Sequence, residues 1–586
     1  MGGHSKAISI HNMNTQTTQI PPRVSTPARL VLLAMFSSVT AFHAPLAAQT
    51  GQRPAEQAPT YSRADSLRGG NGPGRSWWDA TYYDLHVRVQ PADSSISGWN
   101  AITYKVLRAN RTMQVDLHPP LVVDSIRQDG RNVAYTRDGN ALMLTLTANQ
   151  RVGDAKTVTV YYHGKPRAAQ RAPWDGGFVW SKDSLGNPWV STANQGVGAS
   201  VWWPNKDYTA DEPDSQFVAI TVPAGMTNVS NGRLRGRTRN ADNTWTWNWF
   251  VASPINNYGI SVNAGQYEHF HNVYQGEAGT VSMDFWPLKI HADTARKHWA
   301  QATPMMRCFE NWFGPYPFYR DGFKLIETPY LGMEHQSAVT YGNAFKNGYL
   351  GRDLSETGRG LTWDFIIIHE SAHEWWANSL TASDAAYMWI HESFANYAEN
   401  LFVECQTNDK KAGAEYVIGT RRLVRNDRPV EGQTLGVGDE GSGNDHYYKG
   451  GNTLHLIRQL VNDDAKWRGI LRGLQSTFRH KIVSGPQVEA YMEREAGVPL
   501  KKVFDQYLRT TKIPELEYRL ENGKLVYRWA NVIAGFDMPV VVTLPGGASA
   551  TLRATPEWKS DGPQVNTLDG FAVDANYYVT VKAVSR

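Results

Sequence analysis

The first half of the chain alternates apolar and polar residues with the period of a β-strand. At the start of this region Tyr83, Leu85, Val87 and Val89 are separated by single polar residues, which is typical of a strand with one buried face. Short segments of this kind, divided by turn residues, continue to about residue 265 without a sustained helical period. The pattern predicts a β-rich domain over residues 77–265.

A helical pattern replaces the strands near Asp293, a residue type that suits a helix N-cap, and it continues to about residue 510. One predicted helix has proline at a first helical position, Pro486, and glycine just past its end, Gly497, as helix ends favour. The pattern then returns to short strands. Asn-Gly at 522–523, between two strand-like runs, predicts a β-hairpin.

The chain of 586 residues is too long for a single hydrophobic core. The patterns predict an α+β multidomain protein with a β-rich domain over 77–265, a mostly helical domain over 266–512 and a small β-sandwich over 513–586. Residues 49–76 are rich in Gly, Pro, Gln and Arg, and we predict a flexible linker there.

The N-terminal segment has the order of a signal peptide. No acidic residue precedes Glu56, Arg29 is the last of several basic residues, and an apolar run over 30–42 leads to small residues near 48. The run is shorter than the roughly 20 residues that span a bilayer, and an uncleaved anchor is the alternative. We predict a signal peptide over 1–48, a secreted or periplasmic protein, and no stable membrane span after cleavage.

Composition and charge are those of an ordinary globular protein, with 41% apolar residues, 19% charged residues and a net charge of +4. Without a basic stripe, a nucleic-acid partner is not expected. The two cysteines, Cys308 and Cys405, are compatible with a disulfide or with two buried thiols, and their spacing is not that of metal ligands. A metal site would therefore use histidine and carboxylate ligands.

The segment 369–373, with the sequence HESAH, is the strongest chemical signal in the chain. Residues four apart in a helix lie on one face, roughly 40° from each other, so His369 and His373 can reach one ion. Glu370 lies roughly 60° from His373, where it can hold a water beside the metal without replacing it. Apolar flanks predict a buried helix; two satisfied core histidines are the alternative.

A catalytic zinc site of this kind needs a third protein ligand and an open position for water. Eighteen residues separate His373 from Glu392, enough for a turn and a second helix. The apolar neighbours Trp389, Ile390 and Phe394 argue against a solvated position for Glu392. We predict one Zn²⁺ per chain, held by His369, His373 and Glu392, with cobalt or manganese as alternatives.

HESAH followed after 18 residues by glutamate resembles the gluzincin metallopeptidases and, within them, the aminopeptidase N family. Gly332-Met333-Glu334-His335 resembles the Gly-x-Met-Glu-Asn motif of that family, in which the glutamate binds the free α-amino group of the substrate. The resemblance therefore implies that Gly332, Met333 and Glu334 bind substrate. His335 stands where the family usually has asparagine.

Two more segments resemble this family. Tyr447-Tyr448-Lys449-Gly450 is similar to its Tyr-Glu-Lys-Gly motif, whose first tyrosine donates a hydrogen bond to the tetrahedral oxyanion. The resemblance assigns this role to Tyr447, with Tyr448 as the competing assignment. Gln195, nine residues before Pro204, holds a position that helps to bind the α-amine in the family; an amide bonded to its own loop is the alternative.

The resemblance spans roughly residues 77–586 and implies a saddle-like N-terminal β domain, a thermolysin-like catalytic domain and a small C-terminal β-sandwich. The large helical domain of many relatives is expected to be missing. The implied activity is zinc-dependent hydrolysis of the N-terminal bond of peptides with a free N-terminus, with Glu370 as general base. A zinc endopeptidase, a bifunctional epoxide hydrolase and a non-catalytic peptide-binding protein are the alternatives. The preferred N-terminal residue and the oligomeric state stay open.

Overall fold

The computed structural model of the chain describes residues 60–434, 436 and 439–585. The predicted signal peptide, 1–48, lies outside the described residues, as does the first part of the predicted linker. Within the described part of the chain, no helix combines the length and the apolarity needed to cross a bilayer.

The described part of the predicted linker is packed against the domain that follows it. It contains helix α1 (Arg63–Gly69), and Arg63 pairs with Asp138 at 2.7 Å. Arg75 is fully buried and pairs with Asp116. A buried guanidinium needs such a partner because an unpaired buried charge is strongly destabilising. Residues 60–76 are therefore part of the fold rather than a free linker, which corrects the prediction for this part of the segment.

The N-terminal region is built from strands, as its alternating pattern predicts. Its strands are β1 (Trp78–Gln90), β2 (Ser95–Val106), β3 (Asn110–Asp116), β4 (Val122–Gln128), β5 (Arg131–Asn132), β6 (Ala134–Asp138), β7 (Ala141–Gln150), β8 (Ala155–Gly164), β9 (Gly177–Lys182), β10 (Pro188–Ala193), β11 (Ser215–Pro223), β12 (Thr227–Val229), β13 (Arg233–Arg239), β14 (Thr244–Val251) and β15 (Asn263–Gly265). In β1, Leu85, Val87 and Val89 are buried, and the residues between them are partly exposed.

These strands form three sheets. The largest has eight strands in the order β13-β14-β11-β1-β2-β8-β4-β5, in which β1 pairs with β11 in parallel and with β2 in antiparallel fashion. The others have the orders β12-β15-β10-β9 and β3-β7-β6. Gln195 lies two residues after the end of β10, so the four-stranded sheet positions this residue.

A five-stranded sheet opens the helical region, in the order β16-β17-β18-β20-β19. Its strands are β16 (Phe270–Gly276), β17 (Gly279–Trp286), β18 (Phe323–Glu327), β19 (Gly332–Met333) and β20 (Val339–Tyr341). The short strand β19 lies at its edge and carries the Gly-Met pair of the predicted substrate motif. A two-stranded parallel sheet, β21 (Leu380–Ala382) and β22 (Lys481–Val483), lies further along the chain.

Helices dominate the rest of this region. They are α2 (Ala292–His298), α3 (Ala302–Phe313), α4 (Phe365–Ala372), α5 (Trp389–Thr407), α6 (Lys410–Gly419), α7 (Tyr448–Val461), α8 (Asp464–Phe478), α9 (Gly485–Ala496) and α10 (Lys501–Arg509). Short helical turns lie at Ala199–Val201, Asn257–Gly259, Lys289–His291, Trp299–Gln301, Arg359–Leu361, Glu374–Ser379, Ala385–Tyr387 and Thr420–Leu423. Trp376, just after α4, stacks on Phe394 of α5 at 4.1 Å between ring centroids, which packs the two motif-bearing segments together.

Cys308 of α3 and Cys405 of α5 form a disulfide across 97 residues of sequence, which decides between the two alternatives that the sequence left open. A bond of this kind restricts the unfolded chain and so favours the folded state. Because α5 also carries Glu392, the disulfide ties the helix of the predicted third ligand to the neighbouring helix.

The C-terminal region has two three-stranded sheets, β24-β23-β28 and β26-β25-β27. Their strands are β23 (Glu515–Glu521), β24 (Lys524–Ala530), β25 (Val540–Thr543), β26 (Ser549–Leu552), β27 (Ala572–Val573) and β28 (Thr580–Ala583). Asn522 and Gly523, with φ of 50° and 73°, form the predicted hairpin turn, whose type needs positive φ at both positions. The predicted α+β class, with a β-rich N-terminal region and a mostly helical region after it, is confirmed.

Candidate metal centre

Helix α4 begins where the sequence supplies its cap. Asp364 accepts hydrogen bonds from the backbone N–H groups of Ile366 and Ile367 at 2.9 and 3.2 Å, which satisfies donors that a helix N-terminus leaves free. The same carboxylate accepts from the Tyr341 hydroxyl at 2.7 Å and lies 2.7 Å from His298 Nε2. These contacts hold the start of the helix that carries the two motif histidines.

The three predicted ligands converge. Nε2 of His369 and Nε2 of His373 each lie 3.4 Å from Oε2 of Glu392, and the three side chains are buried. In a tetrahedral site with ligand distances of about 2.0–2.1 Å, ligand atoms lie about 3.3–3.4 Å apart. Oε2 of Glu392 is buried without a hydrogen-bond partner in the described chain. The donor set therefore fits a zinc ion with one position left for water.

Hydrogen bonds on the far side of each imidazole orient the two histidines. Nδ1 of His369 lies 2.8 Å from Oε1 of Glu399, and Nδ1 of His373 lies 2.8 Å from the carbonyl oxygen of Trp376. A carboxylate and a carbonyl can only accept, so each Nδ1 carries the proton and each Nε2 keeps a lone pair. Both rings therefore present a metal-binding nitrogen to Glu392.

Glu399 is a functional residue that the sequence analysis missed. It lies seven residues after Glu392 on α5, two helical turns further along the same face. Its carboxylate also accepts from the Tyr416 hydroxyl at 2.7 Å and from Nδ2 of Asn396 at 3.1 Å. The helical period from Glu392 was the signal that could have found it.

The chain leaves helical geometry just after His373, at Trp376 and Ala377. Ala377 has a φ of 146°, in a region that favours glycine because a Cβ is disfavoured there. The family that the sequence resembles commonly has glycine at this position. The bend brings the Trp376 carbonyl to Nδ1 of His373. The strained backbone at Ala377 therefore helps to orient the His373 ring.

Glu370 is buried beside the strand that carries the substrate motif. A Cβ atom placed on Gly332 would lie 3.0 Å from Oε1 of Glu370 and 2.6 Å from Cγ2 of Ile366, so only glycine lets the strand pass this close. Burial raises the pKa of the Glu370 carboxyl to about 7, against the opposing effect of His369. The carboxylate thus lies between the histidine helix and the edge strand β19.

Glu334 lies next to the metal ligands. Its Oε1 accepts hydrogen bonds from Nε2 of Gln195 at 2.8 Å and from the Tyr258 hydroxyl at 3.1 Å. The same Gln195 nitrogen lies 3.4 Å from Oε1 of Glu392. Burial raises the pKa of Glu334. The structure thus brings Gln195 and Glu334, 139 residues apart in sequence, to one site; Tyr258 gave no signal in the sequence.

The two candidate tyrosines lie in different surroundings. The ring of Tyr447 is 5.6 Å from the ring of His369. Burial raises the pKa of Tyr447 well above its usual value, and the carboxylates of Glu392, Glu334 and Glu370 add to this shift. Burial also raises the pKa of Tyr448, but there the nearest contributing carboxylate is Glu399. Tyr447 is therefore the tyrosine at the site, and its hydroxyl stays protonated as a donor.

His335 follows Glu334 but plays no part in the polar network of the site. It is fully buried, and neither ring nitrogen has a hydrogen-bond partner within the described residues. Burial lowers its pKa to about 3, so the imidazole is neutral near pH 7. The exchange of the family's asparagine for histidine thus places an uncharged ring next to Glu334 in the chain.

Comparison with known proteins gives a consistent result. Residues 299–507 match the peptidase family M1 domain. The chain is 19% identical over 433 residues to a probable aminopeptidase 1 of Sulfurisphaera tokodaii, covering 70% of this chain and 50% of that protein. It is 27% identical over 337 residues to aminopeptidase N of Streptomyces lividans, covering 53% and 37%.

Solved structures agree in fold. An M1 zinc metallopeptidase from Deinococcus radiodurans matches with a TM-score of 0.64 at 22% identity, covering 75% of this chain and 95% of that chain. Another structure of an M1 zinc metallopeptidase from that organism holds a Tyr-Ser-Ala substrate. The chain spans half or less of the length of the two curated relatives named above. The family match over residues 299–507, which include His369, His373 and Glu392, agrees with a catalytic zinc ion at these ligands.

The contact of Glu399 with His369 predicts an effect on metal affinity. We expect Glu399→Gln to keep the shape of the side chain, to remove the charge that orients His369, and to weaken zinc binding by about 10- to 100-fold. Competition with a chromophoric chelator measures this affinity directly. Glu415→Gln, at a partly exposed glutamate of α6, is the matched control. An unchanged affinity in Glu399→Gln would contradict the assigned role.

The buried His335 predicts a loss of stability in acid. Its folded-state pKa of about 3 lies below the unfolded value of about 6.5. The unfolded chain therefore binds the extra proton, and the stability contribution present above pH 6.5 is lost as the pH falls towards 3. Between pH 7.5 and pH 5 the free energy of unfolding should fall by roughly 2 kcal/mol more in the native protein than in His335→Asn.

Urea unfolding of both proteins at the two pH values measures this difference. An exposed histidine, His271, changed to asparagine in the same way is the matched control. Equal acid dependence in the native protein and His335→Asn would show that His335 is not the source of the effect.

Proposed function

This chain contains a peptidase family M1 domain over residues 299–507, and from that premise we propose that it is a zinc-dependent aminopeptidase. The proposed reaction is hydrolysis of the N-terminal peptide bond of peptides with a free N-terminus. The main support for the proposal is the position of the Gln195 amide. Its Nε2 lies 2.8 Å from Oε1 of Glu334 and 3.4 Å from Oε1 of Glu392. A buried carboxylate for an amine thus lies directly beside the third metal ligand.

The substrate amine is held by Glu334 and Gln195 in this proposal. A protonated α-amine is a strong partner for the Glu334 carboxylate, since hydrogen bonds between charged groups are stronger than neutral ones. Gln195 and Tyr258 fix the position of that carboxylate. In this proposal a chain that continues beyond the amine would meet the buried carboxylate of Glu334.

The chemistry divides between the metal and the side chains around it. A zinc ion at His369, His373 and Glu392 supplies Lewis-acid polarisation of a water molecule and of the substrate carbonyl. Glu370 takes the proton from the attacking water and delivers it to the leaving nitrogen. The Tyr447 hydroxyl donates a hydrogen bond to the oxygen on which negative charge develops.

Support for the proposal also comes from relatives. Both curated relatives compared above are named as aminopeptidases, and an M1 zinc metallopeptidase of Deinococcus radiodurans was solved with a tripeptide substrate. The experiments that follow test the general base and the selection of a free amine separately.

Glu370→Gln tests the general base. The amide is nearly isosteric with the carboxylate but cannot accept the proton from water, so we expect turnover of an aminoacyl amide to fall by at least about 100-fold. The zinc content, measured by atomic absorption, should stay at the native level because Glu370 is not a ligand. Glu415→Gln again serves as the control. Near-native turnover in Glu370→Gln would refute the assigned base.

Glu334→Gln tests the recognition of the free amine. The neutral amide loses the charge-assisted contact with the protonated amine, so kcat/KM for a peptide with a free N-terminus should fall by roughly 10- to 100-fold. Cleavage of the N-acetylated peptide should be very slow in the native protein. Mass spectrometry of the products shows which bond is cut. Equal cleavage of acetylated and free peptides by the native protein would indicate an endopeptidase instead.

A further inference from the structure

A pocket opens beside the site that holds the amine in the proposed function. Gln195 and Tyr258, the two residues that donate hydrogen bonds to Glu334, form part of its wall. His391, the residue before the metal ligand Glu392, lines it as well. Arg68 and Gly69 of α1 lie on its wall too. The pocket therefore lies against the position of the first substrate residue.

Glu440 places in this pocket a carboxylate to which the described residues supply no hydrogen-bond donor. Its Oε1 lies 3.6 Å from the position that a Cβ on Gly196 would take, next to Gln195 in the chain. Within the described residues, no side chain donates a hydrogen bond to this carboxylate, and no cation lies within 4 Å of it. Burial raises the pKa of Glu440, and Arg68 acts in the opposite direction.

The other two carboxylates of the pocket wall are already used by the backbone. Asp207 accepts from the N–H groups of Ala199 and Ser200 at 3.3 and 3.1 Å. Asp384 accepts from the N–H groups of Ala386 and Gly436 at 3.0 and 2.9 Å. Of the three carboxylates on the described wall, the Glu440 carboxylate is thus the one that is free to accept hydrogen bonds from a ligand.

His391 also lines the pocket. It is 3% exposed, and its Nε2 accepts from the Ala382 N–H at 2.9 Å, so Nδ1 carries the proton. That Nδ1 is buried and has no partner within the described residues. A lysine or arginine side chain has no acceptor for this N–H, so His391 does not decide the charge of the guest.

The balance of charge in the pocket favours a cation. Arg68 is the one arginine or lysine on the described wall, its side chain is exposed, and solvent weakens its interactions. Three carboxylates face this single guanidinium. An acidic guest would meet Glu440 in a partly desolvated position, whereas a cationic guest would pair with that carboxylate.

We propose that this pocket receives the side chain of the first substrate residue and that Glu440 selects lysine or arginine there. The inference rests on the proposed aminopeptidase function. With the amine held at Glu334, a long cationic side chain extends along Gln195 towards Gly196 and Glu440. A hydrogen bond to a charged partner corresponds to roughly a 10- to 100-fold preference over a neutral side chain of similar length.

The test compares aminoacyl amides of lysine, arginine, norleucine, alanine and glutamate with the zinc-loaded full chain. Norleucine has a long side chain without the charge. We expect kcat/KM for lysine and arginine to exceed that for norleucine by about 10- to 100-fold, and glutamate to be the poorest of the long side chains. Glu440→Gln should reduce the lysine-to-norleucine ratio to near one.

Two further variants make the test specific. Glu557→Gln, at an exposed glutamate of the C-terminal region, is the matched control and should keep the native ratio. Arg68→Gln removes the competing cation, so it should raise the lysine-to-norleucine ratio above the native value. This second variant lies on the surface helix α1, and its result does not depend on whether Glu440→Gln folds.

The outcomes separate this inference from the function on which it rests. Cleavage of the amides with a native lysine-to-norleucine ratio of one or less would overturn the role of Glu440 and leave the proposed aminopeptidase in place. An unchanged ratio in a folded Glu440→Gln protein would do the same. A failure to cleave any of the amides would overturn the proposed function and this inference with it.

Discussion

The structure depends on three buried ligand atoms that lie close enough together to bind one metal ion. Nε2 of His369, Nε2 of His373 and Oε2 of Glu392 are about as far apart as the ligands of one tetrahedral ion. A buried carboxylate oxygen without a hydrogen bond is unfavourable unless a cation balances it. Three features of the surrounding structure hold these atoms in place: the cap at Asp364, the bend at Ala377, and the disulfide that ties α5 to α3.

A second constraint is the number of acidic groups in this small volume. Glu334, Glu370 and Glu392 lie close together, and burial and the neighbouring negative charges raise the pKa values of Glu334 and Glu370. A divalent cation reduces this repulsion, and the donors from Gln195 and Tyr258 hold Glu334 apart from the ligands. The three carboxylates thus have different surroundings: Glu392 lies with the two histidines, Glu370 lies beside the edge strand β19, and Glu334 is bound by Gln195 and Tyr258.

The differences from the aminopeptidase N pattern fall around the ligands rather than on them: Ala377, His391 and Ser393 stand where that family usually has glycine, asparagine and glycine. Ala377 adopts a conformation suited to glycine, and His391 uses one nitrogen to hold the backbone of Ala382. The hydroxyl of Ser393 donates to the carbonyl oxygen of His446 at 2.6 Å, just before Tyr447. These substitutions keep the ligands and change what lies behind them, which is where metal affinity and substrate preference are adjusted.

The sequence by itself determined what depends on local spacing. The i, i+4 histidines of α4 and the hairpin at Asn522 could be predicted because each is decided within a few residues. The strand pattern in residues 77–265 is equally local, and the same helical period could have revealed Glu399. Resemblance to a family added the amine carboxylate Glu334 and the tyrosine Tyr447, since their chemistry is attached to short motifs.

Tertiary structure alone decided what depends on contacts between distant segments. The choice between Tyr447 and Tyr448 followed from which ring faces His369. Pairing of Cys308 with Cys405 required α3 to pack on α5, and the packing of residues 60–76 required a buried partner for Arg75. Tyr258 and Glu440 have no local motif that marks them. They reach the site because separate loops and strands pack there, and no spacing along the chain encodes that proximity.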